Sequence, residues 1–299
     1  MSKEQTLINK VAVVTGAGQG LGREHALLLS EYGASVVVND LNEEAATQTV
    51  KDIEAAGGKA ITDFSNIATF DGAEELINKA IETYGSLNIL VNNAGILRDA
   101  MSFNMTQEQF ESVISVHLVG HFAPSHFAAK YWRSQYKAGN EVYGRIINTT
   151  SESGLFSNIG QANYAAAKAG IASMSTVFAK ELANYGVTSN AYVPRARTQM
   201  TETIPGAKEF MQPTEGEFDI WDPKNISPLV VFLCSPQASE ITGQTFAIFG
   251  NEIYRFNPYT VASKMTKADQ WSVEEIGENL DSLFEGNATK GIIPNPEGF

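Results

Sequence analysis

The sequence is poor in cysteine, in positive charge and in long apolar stretches, and each shortage closes off a class of protein. Cys234 is the one cysteine among 299 residues, so no disulfide can form within a single chain. It lies beside the apolar run Val230-Val231-Phe232-Leu233, where a buried, inert thiol is expected, and such cysteine usage fits a reducing, cytoplasmic compartment. Lys and Arg number 21 against 34 Asp and Glu, a net charge of -13, and that sign repels nucleic acid and anionic membrane surfaces. No apolar run approaches the ~18 residues that span a bilayer, and the stretch from Met1 to Lys10 lacks the apolar core of a secretory signal. Neither nucleic acid nor a membrane is therefore an expected partner. At 43% hydrophobic and 18% charged residues, the chain can bury a full core.

What is present is a strand and helix rhythm. Apolar, β-branched runs occur at Val11 to Thr15, Ser35 to Asn39, Lys59 to Asp63, Leu87 to Asn92, Arg145 to Thr150 and Val187 to Val193, with Thr245 to Phe249 a seventh. The spacers are about 20 to 30 residues, the length of a crossover helix rather than a hairpin link. The spacing predicts an α/β fold, a doubly wound parallel sheet of about seven strands, Rossmann-like, in one domain over residues 1–254. Two segments break the rhythm. Arg195 to Lys224 holds Pro205, Pro213 and Pro223 and follows the sixth strand, on the sheet edge where ligands bind, so residues 195–224 are expected to form a substrate lid. Residues 255–299 form a C-terminal extension in which Ser272 and Glu275 make a capping box for a helix through Leu283.

Directly after the first strand comes Thr15-Gly16-Ala17-Gly18-Gln19-Gly20-Leu21-Gly22. Glycines there allow a tight turn whose backbone N–H groups approach a pyrophosphate, and the N-terminus of the following helix adds favourable partial charge. Gly16, Gln19, Gly20, Leu21 and Gly22 are thus candidate cofactor contacts. Asp40 closes the second strand, where a carboxylate accepts hydrogen bonds from an adenosine ribose. No Arg or Lys occurs at Ala17, Gly18, Gln19 or Leu41 to neutralise a ribose phosphate, so the expected cofactor is NAD rather than NADP. Asp63 and Phe64 end the third strand within reach of the adenine; a turn role in Asp63-Phe64-Ser65-Asn66 stands as the alternative.

Tyr164 and Lys168 are four apart in a helix-forming segment, which puts both side chains on one face. A free tyrosine with pKa ~10 is scarcely ionised at neutral pH, and a neighbouring ammonium favours the phenolate, making proton exchange with an alcohol feasible. A fall of ~3 in that pKa corresponds to about 4 kcal/mol of differential stabilisation.

At this point the sequence resembles the short-chain dehydrogenase/reductase family. The Thr15 to Gly22 turn, Asn92-Asn93-Ala94-Gly95 after the fourth strand, Ser151 after the fifth, and Tyr164 with Lys168 occur in family order and at family spacing across Lys10 to Gly250. The resemblance implies that Ser151 hydrogen-bonds the substrate oxygen, that Tyr164 is the general acid/base, and that Lys168 lowers its pKa and holds the nicotinamide ribose. It also implies that Asn93, Ala94 and Gly95 approach the cofactor and that Thr198 reaches its carboxamide. Thr149, Thr150 and Ser153 are alternative hydroxyls. Two departures stand out. His117, in Val116-His117-Leu118, occupies the place of the family's helix asparagine, as a proton relay or a space filler, and Pro194-Arg195 replaces the usual proline-glycine.

Within the family, Asn39-Asp40-Leu41, Gly95-Ile96-Leu97-Arg98-Asp99, Val116-His117-Leu118 and Gly160-Gln161-Ala162-Asn163-Tyr164 look most like the dehydrogenase part of peroxisomal multifunctional enzyme type 2 and its bacterial single-domain relatives. That likeness implies oxidation of a (3R)-hydroxyacyl-CoA to the 3-ketoacyl-CoA. Against a polyanionic ligand, the lid carries Glu202, Glu209, Glu215, Glu217, Asp219 and Asp222 beside only Arg195, Arg197, Lys208 and Lys224. The second reading is an apolar secondary alcohol, such as a steroid, under Phe210, Met211, Phe218, Ile220 and Trp221. A third, from another class, is a non-catalytic NAD-binding scaffold, against which the intact Ser151, Tyr164 and Lys168 argue. His25, His117, His121 and His126 make no metal-ligand spacing with acids or with Cys234, so no metal is expected. By family analogy the chain forms a homodimer or homotetramer through the helices around His117 and Tyr164.

Overall fold

The structure, a computed structural model, describes residues 6–198, 201, 206–257, 259–284, 290–292 and 295. Among these, β1 (Val11–Thr15), β2 (Ser35–Asn39), β3 (Lys59–Asp63), β4 (Ile89–Asn92), β5 (Gly144–Thr149), β6 (Val187–Arg195), β7 (Thr245–Phe249) and β8 (Glu252–Phe256) form one sheet in the order β3-β2-β1-β4-β5-β6-β7-β8. The first seven pair in parallel. β8 runs antiparallel to β7 and is one strand more than the sequence rhythm predicts. Its run Glu-Ile-Tyr-Arg-Phe is exposed over most of its length, so it lacks the apolar signature of a buried strand. A two-residue link makes it possible, with Gly250 at φ 54° supplying the left-handed backbone that a tight hairpin needs.

The α-helices among the described residues are α1 (Gly20–Glu31), α2 (Glu43–Ala55), α3 (Phe70–Tyr84), α4 (Gln107–Ile114), α5 (Gly120–Lys137), α6 (Glu152–Phe156), α7 (Ala162–Leu182), α8 (Ala207–Phe210), α9 (Ser227–Cys234) and α10 (Val273–Asn279). Local chemistry sets several boundaries. Asn42 and Thr69 cap α2 and α3 through their side chains, and Thr106 with Gln109 forms a capping box at α4. The box expected at Ser272 and Glu275 is present and opens α10. Alternation along the strands divides the core into two layers. Ala12, Val14, Val36, Val38, Val91, Ile147 and Tyr192 pack with α1 and α9, and Val13, Val37, Leu90 and Ile146 pack with α3, α5 and α7.

The strand order reverses between β1 and β4, and the segments that leave the ends of these two strands flank the crevice of a doubly wound sheet. The chain divides into two compact units, Met1–Phe256 and Asn257–Phe299. β8 straddles the 254/255 boundary expected from the sequence. Among the described residues no helix is long and apolar enough to cross a membrane.

Candidate active site

The glycine turn is held against the segment after β4. Thr15 Oγ1 accepts from the N–H groups of Asn93 and Ala94 at 3.0 and 3.2 Å, and Asn93 Nδ2 donates to the carbonyls of Thr15 and Gly16 at 3.1 and 3.2 Å. Two glycines are required by space. A Cβ on Gly16, at φ 62°, would lie 2.8 Å from Ala94 Cα, and one on Gly22 would lie 2.1 Å from the Gly16 carbonyl oxygen. At the head of α1, Gln19 makes no side-chain cap and the first turn holds no acidic residue, so the helix N-terminus is uncapped and bears no opposing charge. These features fit an anionic dinucleotide. Asp40 is fixed at the turn, its Oδ2 accepting from Gly18 N–H and its Oδ1 from Asn42 N–H, both at 2.9 Å. The cap of α2 is Asn42, not Asp40.

The other adenine-side candidate serves its own turn. Asp63 is buried and accepts from Asn39 Nδ2 at 2.7 Å and from Ser65 N–H at 3.0 Å, with Lys79 Nζ at 3.6 Å; Phe64 beside it is 37% exposed. Thr198 is likewise tied locally, its N–H and hydroxyl meeting Thr201 Oγ1 at 2.8 and 3.3 Å.

Next to the turn the structure gathers His117, Tyr164, Lys168 and Ser151. His117 lies in a π-helical stretch, Ser115–Val119, between α4 and α5, and such a bulge turns a side chain out of ordinary helical register. Its ring packs on Gly95, where a Cβ would stand 2.3 Å from His117 Cε1. It also meets the Tyr164 ring edge-on, with centroids 5.1 Å apart. Nε2 sits 2.7 Å from Ile96 O and 3.0 Å from Ile96 N. Burial and the nearby Lys168 push the His117 pKa down to about 3, so the ring is neutral. His121, one turn on, has its ring stacked on His117 at 6.4 Å and is also held neutral by burial.

Asn163 pins the start of α7. Its Nδ2 donates to the carbonyls of Arg98 and Gln109, each at 3.0 Å, while its Oδ1 accepts from Tyr164 N–H at 2.7 Å. Ser151 caps α6, and α6 lies close on α7 because Gly154 faces the Lys168 backbone, where a Cβ would come within 2.6 Å. Lys168 Nζ donates to the Thr149 carbonyl at 2.6 Å and stands 5.6 Å from the centre of the Tyr164 ring. Two of the alternative hydroxyls are engaged elsewhere, Thr149 Oγ1 donating to Tyr192 and Thr150 Oγ1 to the Lys168 carbonyl, whereas Ser153 Oγ is buried with no partner among the described residues.

The electrostatics differ from the expectation of a tyrosine already lowered by its lysine. Burial raises the Tyr164 phenol to about 12 against the hydrogen bond from Ser151, and burial lowers Lys168 to about 7. In the chain by itself, desolvation governs both groups. Moving the phenol from about 12 to neutrality takes roughly 7 kcal/mol, more than the free-tyrosine figure.

The departure at Pro194-Arg195 has a partner in space. Arg195 Nε pairs with Glu152 Oε1 at 2.5 Å and its guanidinium lies 5.1 Å from the Phe249 ring centre, so the sixth strand is tied to the residue after Ser151. In the lid, Arg197 Nη2 pairs with Asp219 at 2.6 Å and the Trp221 ring meets that of Phe249 at a tilt of 55°, with centroids 4.6 Å apart. Met211 is buried, whereas Phe210 and Phe218 are 75% and 58% exposed. The lid positions Glu202 and Pro205 lie outside the described residues.

Thr15, Asn163 and the Thr149 carbonyl support the site without a motif that marks them for it. Thr15 and Thr149 left a faint signal, as polar residues ending otherwise apolar strands.

A dinucleotide turn at the switch point, with a serine, a tyrosine and a lysine gathered beside it, defines a Rossmann-fold oxidoreductase that takes a nicotinamide cofactor and acts on a CH–OH group. A profile of the short chain dehydrogenases matches residues 10–208, and the chain belongs to that family. It is 43% identical over 288 residues to hydroxyacyl-CoA dehydrogenase ChsB1 of Mycobacterium tuberculosis, covering 94% of this chain and 90% of that one. It is 42% identical to the peroxisomal multifunctional enzyme type 2 of Drosophila melanogaster, matching 75% of this chain but only 36% of that longer protein. A crystal structure of a short chain dehydrogenase from Mycobacterium avium superposes with a TM-score of 0.87 at 44% identity, covering 97% of this chain and 98% of the other.

Proposed function

We propose that the protein is an NAD-dependent dehydrogenase that oxidises a (3R)-hydroxyacyl-CoA to the 3-ketoacyl-CoA. The observation that carries the reaction type is Tyr164 packed on His117 with the buried Lys168 Nζ 5.6 Å from its ring centre and held by the Thr149 carbonyl, beside Ser151 at the start of the adjoining α6. Ser151 Oγ orients the substrate hydroxyl, and Tyr164 Oη takes its proton. Lys168 Nζ favours the phenolate and, held by the Thr149 carbonyl, presents its remaining protons toward the nicotinamide ribose. Bound in its oxidised form, NAD supplies the hydride acceptor and a positive charge beside the phenol. His117, neutral and packed on Tyr164, orients that ring. Gly16, Gln19, Gly20, Leu21 and Gly22 cradle the pyrophosphate, with Asn93, Ala94 and Gly95 against the cofactor. Asp40 meets the ribose and disfavours a phosphate there, which is the argument for NAD. Asp63, Phe64 and Thr198 complete the cofactor contacts in this reading.

The hydroxyacyl-CoA assignment is supported by the relative from Mycobacterium tuberculosis, and the handedness rests on the resemblance to the dehydrogenase part of the multifunctional enzyme alone. The apolar alcohol is favoured by one observation: Arg195 and Arg197, basic residues of the lid, are engaged by Glu152 and Asp219, while Phe210 and Phe218 are left exposed. We assign residues 1–254 to the dehydrogenase domain with a lid at 195–224, and a cytoplasmic setting to a chain whose lone thiol is buried. A homodimer or homotetramer fits the exposed apolar face of Phe70, Phe122 and Val177 on α3, α5 and α7.

The test is a panel of both enantiomers of short and long 3-hydroxyacyl-CoAs and of steroid alcohols, with NAD or NADP, followed by absorbance of the reduced nicotinamide. Selective NADH formation from the R thioesters is the expected result. Turnover of free alcohols alone would replace it with the second reading, and turnover only with NADP would overturn the cofactor assignment.

A further inference from the structure

A buried polar chain runs through the sheet from the acceptor of Lys168 to the opposite helical layer, and the reaction as described makes no use of it. Thr149 ends β5 and serves both sides. Its carbonyl accepts from Lys168 Nζ at 2.6 Å, and its Oγ1 donates to Tyr192 Oη at 2.9 Å. Tyr192 is the register neighbour of Thr149 on β6. Tyr192 Oη stands 2.7 Å from His25 Nε2, and His25 Nδ1 stands 2.8 Å from Ser227 Oγ.

The donor directions follow from one another. With Thr149 donating to Oη, the Tyr192 proton goes to His25 Nε2; the ring proton of His25 is then on Nδ1 and goes to Ser227. The histidine is neutral, in keeping with the burial that lowers its pKa to about 3. Tyr192 and His25 are both 0% exposed, and all their polar atoms are used. Apolar side chains of similar volume would fill the same space without desolvating four polar groups. What the polar version adds is direction: a hydroxyl anchored at both ends fixes the rotamer of Thr149 and the tilt of its peptide plane. The anchors are informative too, since His25 lies on α1, which starts in the glycine turn, and Ser227 opens α9 just after the lid segment.

We propose that His25 and Tyr192 are positioning residues, which act through Thr149 to hold the carbonyl that fixes the Lys168 ammonium. This rests on the role given to Lys168 above. The other titratable groups facing Lys168 are Tyr164 on its own helix and His117 and His121 from the π-helical stretch and α5. Burial, and no carboxylate, governs its ionisation. The Thr149 carbonyl is therefore an acceptor that favours the charged amine, and loosening it lowers the lysine's titration.

The experiment titrates the full-length protein, labelled with carbon-13 at lysine Cε, by NMR without cofactor; the Lys168 signal is assigned by its absence in Lys168→Met. Tyr192→Phe and Thr149→Val keep shape and remove one hydroxyl each, His25→Leu removes both ring nitrogens, and His25→Gln keeps an acceptor and a donor. The expected result is a lower Lys168 titration in the first three and a wild-type titration in His25→Gln. In parallel, kcat falls about tenfold in the first three with KM changing less than about twofold. An unmoved or raised titration in Tyr192→Phe and Thr149→Val overturns the proposal, and these two decide it if His25→Leu does not fold. Undiminished turnover by Lys168→Met would instead remove the catalytic reading, and the titration would still judge the coupling.

Discussion

Three buried neutral histidines make the fold sensitive to mild acid. Burial holds His25 and His117 at about 3 and His121 well below its ordinary value, whereas an unfolded imidazole titrates near ~6.5. As the pH falls below that value the unfolded chain takes up protons that the folded chain refuses, so stability present above it is lost progressively toward the folded pKa. From pH 7.5 to 5.5 the loss is about 1.4 kcal/mol per histidine, about 4 kcal/mol for three. Lys168 acts in the same direction. Held at about 7 when folded, it adds about 0.8 kcal/mol of loss over the same interval. Glu152, whose carboxyl burial raises against the pull of Arg195, opposes the trend. Against a total stability of ~5–15 kcal/mol, the net fall is large. Urea unfolding followed by circular dichroism at the two pH values, at constant ionic strength, should show the midpoint falling with an unchanged m-value. His25→Gln should lose about 1.4 kcal/mol less than wild type over the interval. A pH-independent midpoint, or a His25→Gln protein with the full wild-type loss, would refute the reasoning.

Tyr164→Phe is expected to lower kcat by about 10³ while leaving NAD affinity nearly unchanged by calorimetry, because the glycine turn carries that binding. Asp40→Asn removes the carboxylate that we propose meets the ribose and should shrink the expected preference for NAD over NADP, read as the ratio of the two kcat/KM values. Gly95→Ala would press a methyl group onto His117 and should cost about 1–3 kcal/mol in thermal or urea unfolding. A Gly95→Ala protein of wild-type stability would mean that His117 moves freely.

Much of the fold was legible because it is written in local patterns. The ends of β1, β2, β3 and β7 fall where the apolar, β-branched runs end; β1 and β2 are buried along nearly their whole length and so are apolar nearly throughout, while in β3 and β7 the β-branched and aromatic residues carry the signal. β8 was not legible: its residues are half exposed, and pairing with β7 rather than burial makes it a strand. At the site, Tyr164 and Lys168 were visible through their helical spacing, and Gly16 and Gly22 through the turn. Asp63 shows the opposite case. Its position at a strand end is compatible with a cofactor contact and with a turn, and the tertiary structure adds that its carboxylate holds the turn through Asn39 and Ser65, a role it keeps beside the proposed cofactor contact.

The residues by themselves determined the doubly wound class, the glycine turn and the helical pairing of Tyr164 with Lys168, because periodicity and short spacings are properties of neighbours along the chain; Ser151 was picked out by the family resemblance. The tertiary structure decided what those groups feel. Desolvation sets Tyr164 at about 12 and Lys168 at about 7, and it depends on how completely the two helical layers exclude water. It also decided which distant residues serve the site: Arg195 meets Glu152, and His25 meets Tyr192. Such pairs join different elements of the sheet, and their partners are chosen by packing in three dimensions, of which the order of residues carries no local trace.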